Sequence, residues 1–473
     1  MNLAIDSAAA SINAMQVTFN EQRKHFNASL APSYELRVVK LTQLKQQIIK
    51  YQTQLITALS HDYGHRSHHD SLIADILPCI NHINYSLKQL KSWMRPSRRH
   101  AGLLLSPAKV TVQYQPLGVI GIIVPWNFPV MLSMGPLVTA LAAGNNAMLK
   151  MSEFTPETNK VIHQLLADIF APTEVAIVEG EAEVAAAFSS LPFNHLLFTG
   201  STQVGRHVMC AAAENLTPVT LELGGKSPTI IADDMPIELA VERMIYGKCL
   251  NAGQICIAPD YVLCPRDKLE SFIQAYCKHF QKMYPDFEHN QDYGNIINAR
   301  QLQRLQETLA DAKAKGATII PAAPSGSGSK LATQLITDVT PEMTVMQAEI
   351  FGPLLPIIPY DDLDDAIHYI NAHDRPLALY IMSLSKQVQQ AILTKTHSGG
   401  VSINETLLHV AADDAPFGGI GPSGMGHYHG KEGFLTFSHA KTVLNSGRFS
   451  TSKFVHPPYG NKLQALLLKF FLR

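Results

Sequence analysis

The sequence predicts an α/β chain built on two doubly wound, mainly parallel sheets, with a small additional β element. Three observations predict it. Short apolar runs without polar alternation recur from Leu117 onward, as strands buried on both faces require. Stretches of helical periodicity separate them, about 12–15 residues each, which is the alternation that produces parallel sheets with covered faces. The chain has 473 residues, 46% hydrophobic and 16% charged, enough to fill two or three domains.

The elements follow in order. Arg37–Ser60 carries Leu41, Leu44, Ile48, Ile49, Leu55 and Leu59 at helical spacing, and Ser71–Met94 repeats the pattern. Between them His61–Asp70 reads as a polar surface connector. Its four histidines match no zinc spacing, so no metal site is expected. Arg95–His100, the densest basic run, reads as a solvated turn. Val110–Tyr114 alternates like a strand, and Leu117–Val124 is a continuous apolar run. Strands are expected at Asn146–Lys150, Val175–Gly180 and His195–Gly200, with a helix over Thr155–Phe170. A second series follows Glu222: strands at Pro228–Ile231, Tyr261–Val262 and Thr318–Ile320, and a helix at Leu269–Met283. Ser325–Ser329 reads as a flexible loop. The expected division is residues 1–107 with 118–221 as one α/β domain and 222–415 as the other. Residues 108–117 with 431–445 form the β element, and 446–473 a tail.

Composition excludes several roles. Lys plus Arg number 38 against 39 for Asp plus Glu, so the basic footprint of a nucleic-acid binder is missing. Six cysteines without a CxxC pair point to a reducing, cytoplasmic setting, and the five other than Cys256 read as inert buried thiols. Neither a secretory signal nor a membrane span is visible. The apolar Leu463–Arg473 reads as packing on its own core or a second subunit; docking on a membrane surface is the sharper reading.

Cys256 stands in Asn251-Ala252-Gly253-Gln254-Ile255-Cys256, where glycine and glutamine make a turn and backbone N–H groups lie near the sulfur. A free thiol is only a few per cent ionised at neutral pH, so backbone dipoles and a cationic cofactor ring are the expected activators. Glu222 ends an apolar strand beside Leu223-Gly224-Gly225, where a carboxylate points into the crevice of an open sheet and can activate water. Asn127, between Pro125 and Pro129, is stiffly held, as a preorganised oxyanion donor must be. Gly200 and Gly205, with Ser201 between them, join a strand to a helix and suit a pyrophosphate, although GxxxxG is also an ordinary strand–turn–helix. Lys150 and Glu153 could grip ribose hydroxyls, or be a surface lysine and a helix-start carboxylate. Glu349 and Phe351 could meet a nicotinamide ribose and ring, and the glycine-dense Pro416–Gly424 reads as a backbone crossing between domains.

Together Pro125–Pro129 (PWNFP), Phe198–Ser201 (FTGS), Glu222–Pro228 (ELGGKSP), Gly253–Cys256 (GQIC), Glu349–Pro353 (EIFGP) and Pro416–Gly419 (PFGG) resemble the aldehyde dehydrogenase superfamily in order and spacing, over roughly residues 35–445. The resemblance implies a Rossmann-like cofactor domain, a catalytic domain and oligomerisation strands. It makes Cys256 the nucleophile, Glu222 the base and Asn127 an oxyanion donor. It places Trp126, Lys150, Glu153 and Glu349 on NAD, with NADP an alternative, and Leu223 and Phe351 beside the nicotinamide. Ala258-Pro259-Asp260-Tyr261 and Phe454–Tyr459 are similar to the class 3 branch and, within it, to coniferyl aldehyde dehydrogenases, which implies a homodimer. Lys150-Met151-Ser152-Glu153 replaces the commoner KPSE, and Glu349 could share work with Glu222. The expected activity is oxidation of an aromatic, cinnamyl-type or medium-chain aldehyde through a thiohemiacetal and a thioester. The expected funnel is walled by Phe128, Met131, Ile255, Ile257 and Leu408. The competing readings are a cofactor-independent cysteine esterase and a non-catalytic structural protein.

Overall fold

The computed structural model describes residues 2–324, 328–448 and 456–472, with no side-chain description for 2–7 and Leu104. The expected loop at Ser325–Ser327 and the class 3 residues Phe454 and Val455 lie outside these. Two long helices, Asn2–Ala28 and Tyr34–Asp62, lead into the helical run His68–Trp93, whose Leu72–Ile76 turn is π-helical.

Strands β1 (Ser97–Arg99) and β2 (Lys109–Pro116) begin a small antiparallel sheet. Next come β3 (Val119–Ile123), β4 (Asn146–Lys150), β5 (Val175–Val178), β6 (His195–Thr199) and β7 (Val219–Glu222). They form a parallel sheet in the order β7-β6-β3-β4-β5. The second large sheet uses β8 (Pro228–Ile231), β9 (Tyr261–Pro265), β10 (Thr318–Pro321), β11 (Gln334–Thr337), β12 (Leu354–Tyr360), β13 (Ala378–Met382) and β14 (Gly400–Ile403). Its order is β10-β11-β12-β9-β8-β13-β14, and only β10 runs antiparallel. Strand β15 (Gly424–Met425) returns to pair with β7, and β16 (Ser438–Asn445) completes the small sheet against β2. The chain is thus of the expected fold class.

Strands β3, β4, β6, β8 and β9 are buried along their whole length, which is why they read as unbroken apolar runs. The helix Pro129–Ala143 carries no periodic stripe because nearly all of it is buried. It packs between the long helices and the first sheet, in a core with Leu44, Ile48 and Leu149.

Two expectations fail, and one half of a third. Arg95–His100 is not simply a turn, because Ser97–Arg99 pairs with Val110–Val112 and its charges face solvent from a sheet edge. His61–Asp70 is not a surface loop: Tyr63, Arg66, Ser67 and Asp70 are all buried. In the C-terminal helix Lys462–Phe471 only Gln464 is buried, and Leu466, Leu468 and Phe470 stay exposed, so the tail does not pack on its own core. Among the described residues no helix is long and apolar enough to cross a membrane.

Candidate active site

The first sheet changes winding direction between β3 and β6, and open α/β sheets leave a crevice beyond their strand ends at such a point. A cavity of about 710 Å³ lies there, within the range of small-molecule sites. The first sheet contributes residues that follow or end its strands: Trp126 and Asn127 after β3, Gly200 and Ser201 after β6, Glu222 at the end of β7. The second sheet contributes residues that precede its strands: Cys256 before β9, Glu349 and Phe351 before β12. The site therefore lies between the carboxyl edge of one sheet and the amino edge of the other. Pro416–Gly424 closes the join. A side chain at Gly418 would strike the backbone carbonyl of Gly426, and one at Gly424 that of Leu221 in β7. It is the backbone crossing that its glycines suggested.

Cys256 is held by an unusual turn. Asn251, Ala252 and Gly253 are successively left-handed, at φ 49°, 53° and 72°, and a side chain at Gly253 would stand 2.7 Å from the carbonyl of Gly352. Gln254 locks the turn: its amide donates to Asn251 O (2.9 Å) and Asn295 O (3.1 Å), and its Oε1 accepts from Ile297 N. Backbone strain of this kind concentrates at functional sites. The thiol is not activated in this environment. Burial, then Glu349, then Glu222 push its pKa up, and the N–H groups of Cys256 and Ile257 oppose them without prevailing. The expected backbone dipoles are present but insufficient alone.

Both carboxyl oxygens of Glu222 are buried without a partner, and burial raises its pKa well above the usual range. Glu349 lies over Gly224, close enough that a side chain there would fall on its carboxylate. Burial, then Asp260, raise Glu349 to about 8. Asn127 is buried, and its Nδ2 donates to Gln254 O at 3.2 Å, which leaves its second N–H unspent. Phe351 packs edge-on against Trp126, centroids 5.2 Å apart, and adopts φ 47°.

Other expected residues fall elsewhere. Lys150 and Glu153 lie along the same sheet edge but off the cavity wall; Lys150 Nζ is buried, bonds Met151 O at 2.7 Å and stands 3.9 Å from Glu153. Leu223 does not border the cavity: it packs beneath Gly205, where any side chain would come within 2.7 Å of it. Ser201 caps the helix Thr202–Ala213, whose first N–H groups are at the cavity. The funnel is partly as expected. Phe128, Met131, Ile255 and Ile257 share one apolar cluster with Cys256, but Leu408 is exposed, and Leu407, Val410 and Phe417 take its place. Of the remaining cysteines, Cys210 is exposed rather than buried and Cys277 is half-buried.

The sequence pattern of the aldehyde dehydrogenase family matches residues 7–443. The chain belongs to the aldehyde dehydrogenase family. This aldehyde dehydrogenase is 53% identical over 462 residues to a probable coniferyl aldehyde dehydrogenase of Pseudomonas aeruginosa, covering 98% of this chain and 97% of that one. It is 45% identical to a coniferyl aldehyde dehydrogenase of a Pseudomonas species, covering 92% and 91%. The structure of the substrate-bound state of Staphylococcus aureus AldH superposes with a TM-score of 0.92 at 36% identity, covering 96% and 99%. A Mycobacterium tuberculosis aldehyde dehydrogenase complexed with NAD+ gives 0.82 at 29%, covering 90% and 88%. The chain is an oxidoreductase, and the family activity is NAD(P)-dependent oxidation of an aldehyde.

The residues present fit a dinucleotide. Thr199 Oγ1 is buried without a partner on the cavity wall, Gly200 and Gly224 line it, and Lys150 holds a cation at the sheet edge. Sequence reasoning missed Thr199, Gln301, Arg304 and Lys226 on this wall. Arg304 Nη2 donates to Ile350 O (2.8 Å) and Phe351 O (3.2 Å), bracing the Glu349–Phe351 segment. Thr199 and Lys226 stand within the FTGS and ELGGKSP motifs, but the sequence reading assigns them no role, whereas nothing in the flanking sequence marks Gln301 and Arg304, which only the fold brings here.

Proposed function

We propose that this enzyme oxidises hydroxylated aromatic aldehydes of the cinnamyl type, such as coniferaldehyde, to their carboxylic acids, with Cys256, Glu222 and Asn127 as its catalytic residues. One observation carries the reading: these three side chains, remote in sequence, wall one cavity, and Cys256 also packs on an apolar cluster that includes Met131, Leu132, Val410 and Phe417. Similarity to coniferyl aldehyde dehydrogenases supports the substrate class. So does the aromatic packing in the Cys256 cluster, where Phe417 stacks on His429 (5.3 Å) and packs against His409 (5.9 Å). His409, half-buried with both ring nitrogens unpartnered, suits the hydroxyl of a substituted ring.

The Cys256 sulfur loses its proton and adds to the aldehyde carbon. The resulting oxyanion takes the free N–H of the Asn127 amide and the backbone N–H of Cys256. NAD(P), when bound, would supply a cationic ring and a hydride acceptor, and the adduct on Cys256 would become a thioester as it gives up that hydride. Glu222 then takes a proton from water, which attacks the thioester carbonyl; the acid leaves and the Cys256 thiolate returns. Trp126, Gly200, Ser201, Glu349 and Phe351 would hold the nicotinamide half of the cofactor, with Lys150 and Glu153 at the adenosine ribose and Leu223 with Gly205 shaping the turn beneath.

The six free cysteines suit a cytoplasmic setting, and the long exposed antiparallel pair of β2 and β16 suits pairing with a second copy as a homodimer. On this reading the chain divides at 1–107 with 118–221, 222–415, 108–117 with 431–445, and a 446–473 tail, although β1 joins the small sheet from within 1–107 and β15 pairs with β7 from outside these divisions. The test is kcat/KM across cinnamyl, benzyl and straight-chain aldehydes, with NAD and NADP in parallel. Hydroxycinnamaldehydes should lead; a preference for straight-chain aldehydes overturns the substrate class.

A further inference from the structure

We propose that Arg66 and Asp75 are positioning residues for this reaction: their buried ion pair fixes the backbone of Asn127 so that its side-chain amide meets the oxyanion formed on the substrate. The proposal rests on reading Asn127 as the oxyanion donor.

Both side chains are fully buried and 2.7 Å apart. Each uses its other arm on the segment that carries Asn127. Arg66 Nη1 donates to Asn127 O at 2.9 Å, and Asp75 Oδ1 accepts from the backbone N of Met131 at 3.0 Å, at the start of the helix after Asn127. The pair therefore clamps the segment at both ends. Asn127 O also lies within reach of the Tyr63 hydroxyl (3.1 Å) and Asn251 Nδ2 (3.2 Å). The guanidinium lies between the rings of Tyr63 (5.1 Å) and Phe128 (4.8 Å), which prevents it from swinging away.

A single peptide carbonyl needs neither three donors nor a buried cation for satisfaction. Removing two charges from water is costly, and apolar replacements of such pairs are often as stable, so a pair kept here calls for a role beyond stability. That role follows from geometry. With its carbonyl gripped by Arg66 from the connector between two helices and its amide tied to Gln254 O, Asn127 has both ends fixed while one N–H stays free. An oxyanion donor depends on just such preorganisation. Asp75 sits in the π-helical turn Leu72–Ile76, an irregularity often found at functional sites.

The experiment compares two reactions of Cys256 in cofactor-free enzyme. Acylation by p-nitrophenyl acetate passes through an oxyanion; alkylation by iodoacetamide does not. Asn127→Ala should lower acylation by ~10²–10³-fold and leave alkylation almost unchanged. Arg66→Met, or Arg66→Met with Asp75→Leu, should lower acylation about tenfold or more, spare alkylation, and add nothing to Asn127→Ala. Arg66→Lys should recover only part of the loss, because one ammonium replaces two forked donors. If the Arg66→Met proteins do not fold, Tyr63→Phe carries the same comparison with a smaller loss. Equal losses in acylation and alkylation, or full additivity with Asn127→Ala, overturn the proposal. If Asn127→Ala itself leaves acylation intact, the oxyanion assignment fails instead.

Discussion

Cys256 sits among groups that oppose its ionisation, and this sets how the enzyme should respond to pH. With the thiol pushed up by burial, Glu349 and Glu222, the thiolate is a small fraction at neutral pH and grows about tenfold per pH unit below its pKa. Alkylation of cofactor-free enzyme should therefore rise log-linearly from pH 6 to 8, about a hundredfold, and bound NAD should shift the line toward acid. A plateau near neutrality without cofactor contradicts this. Glu222 must be deprotonated to act as base, and burial raises its pKa, so thioester hydrolysis should also speed up as pH rises. Glu222→Gln should slow turnover by ~10²–10⁴-fold and preserve the first burst of reduced cofactor, read by stopped-flow absorbance. At this scale the nucleophile, base and amide donor were legible because each stands in a motif whose neighbours constrain it. Arg66, Tyr63 and Asp75 were not. Tyr63 and Arg66 fall in the stretch read as a polar connector and Asp75 in the helix after it, and only packing against the Asn127 segment, far along the chain, shows them as buried structure.

Between residues and fold, the turn Asn251–Gly253 has the narrowest tolerance. Gly253→Ala places a side chain at φ 72° and against the carbonyl of Gly352, so the turn must deform. The left-handed conformation alone costs roughly 1–2 kcal/mol. Thermal stability should fall by at least that much, and Cys256 alkylation should change with it; an unaltered melting curve contradicts the strained-turn account. Gly447→Ala, also left-handed but with nothing nearby, is the control for conformation without contact. Strands buried on both faces could be read from their apolar runs, as β3, β4 and β6 show. The helix Pro129–Ala143 could not, since burial on every side removes the periodicity and Pro136 lies inside it. Strand β1 could not either, because its basic residues face solvent from a sheet edge.

Over the whole molecule, two sheets present opposite edges to one cavity, and neither alone holds a complete site. Residues from both must therefore be in place together, and NAD should raise the melting temperature as one cooperative step. Light scattering should give twice the 51.9 kDa chain mass if β2 and β16 pair with a second copy; a single chain mass contradicts the dimer. The family and the paired-sheet plan were visible in the order of the motifs, whereas the edge-to-edge arrangement needed the strand order. The account stands or falls on the sulfur of residue 256. Glu222→Gln enzyme should be mixed with coniferaldehyde and NAD, quenched in acid, digested and mapped by mass spectrometry. The account predicts a stable acyl group on the peptide containing Cys256, absent when cofactor is omitted. An acyl group on another residue, or product formation with Cys256 never acylated, contradicts it.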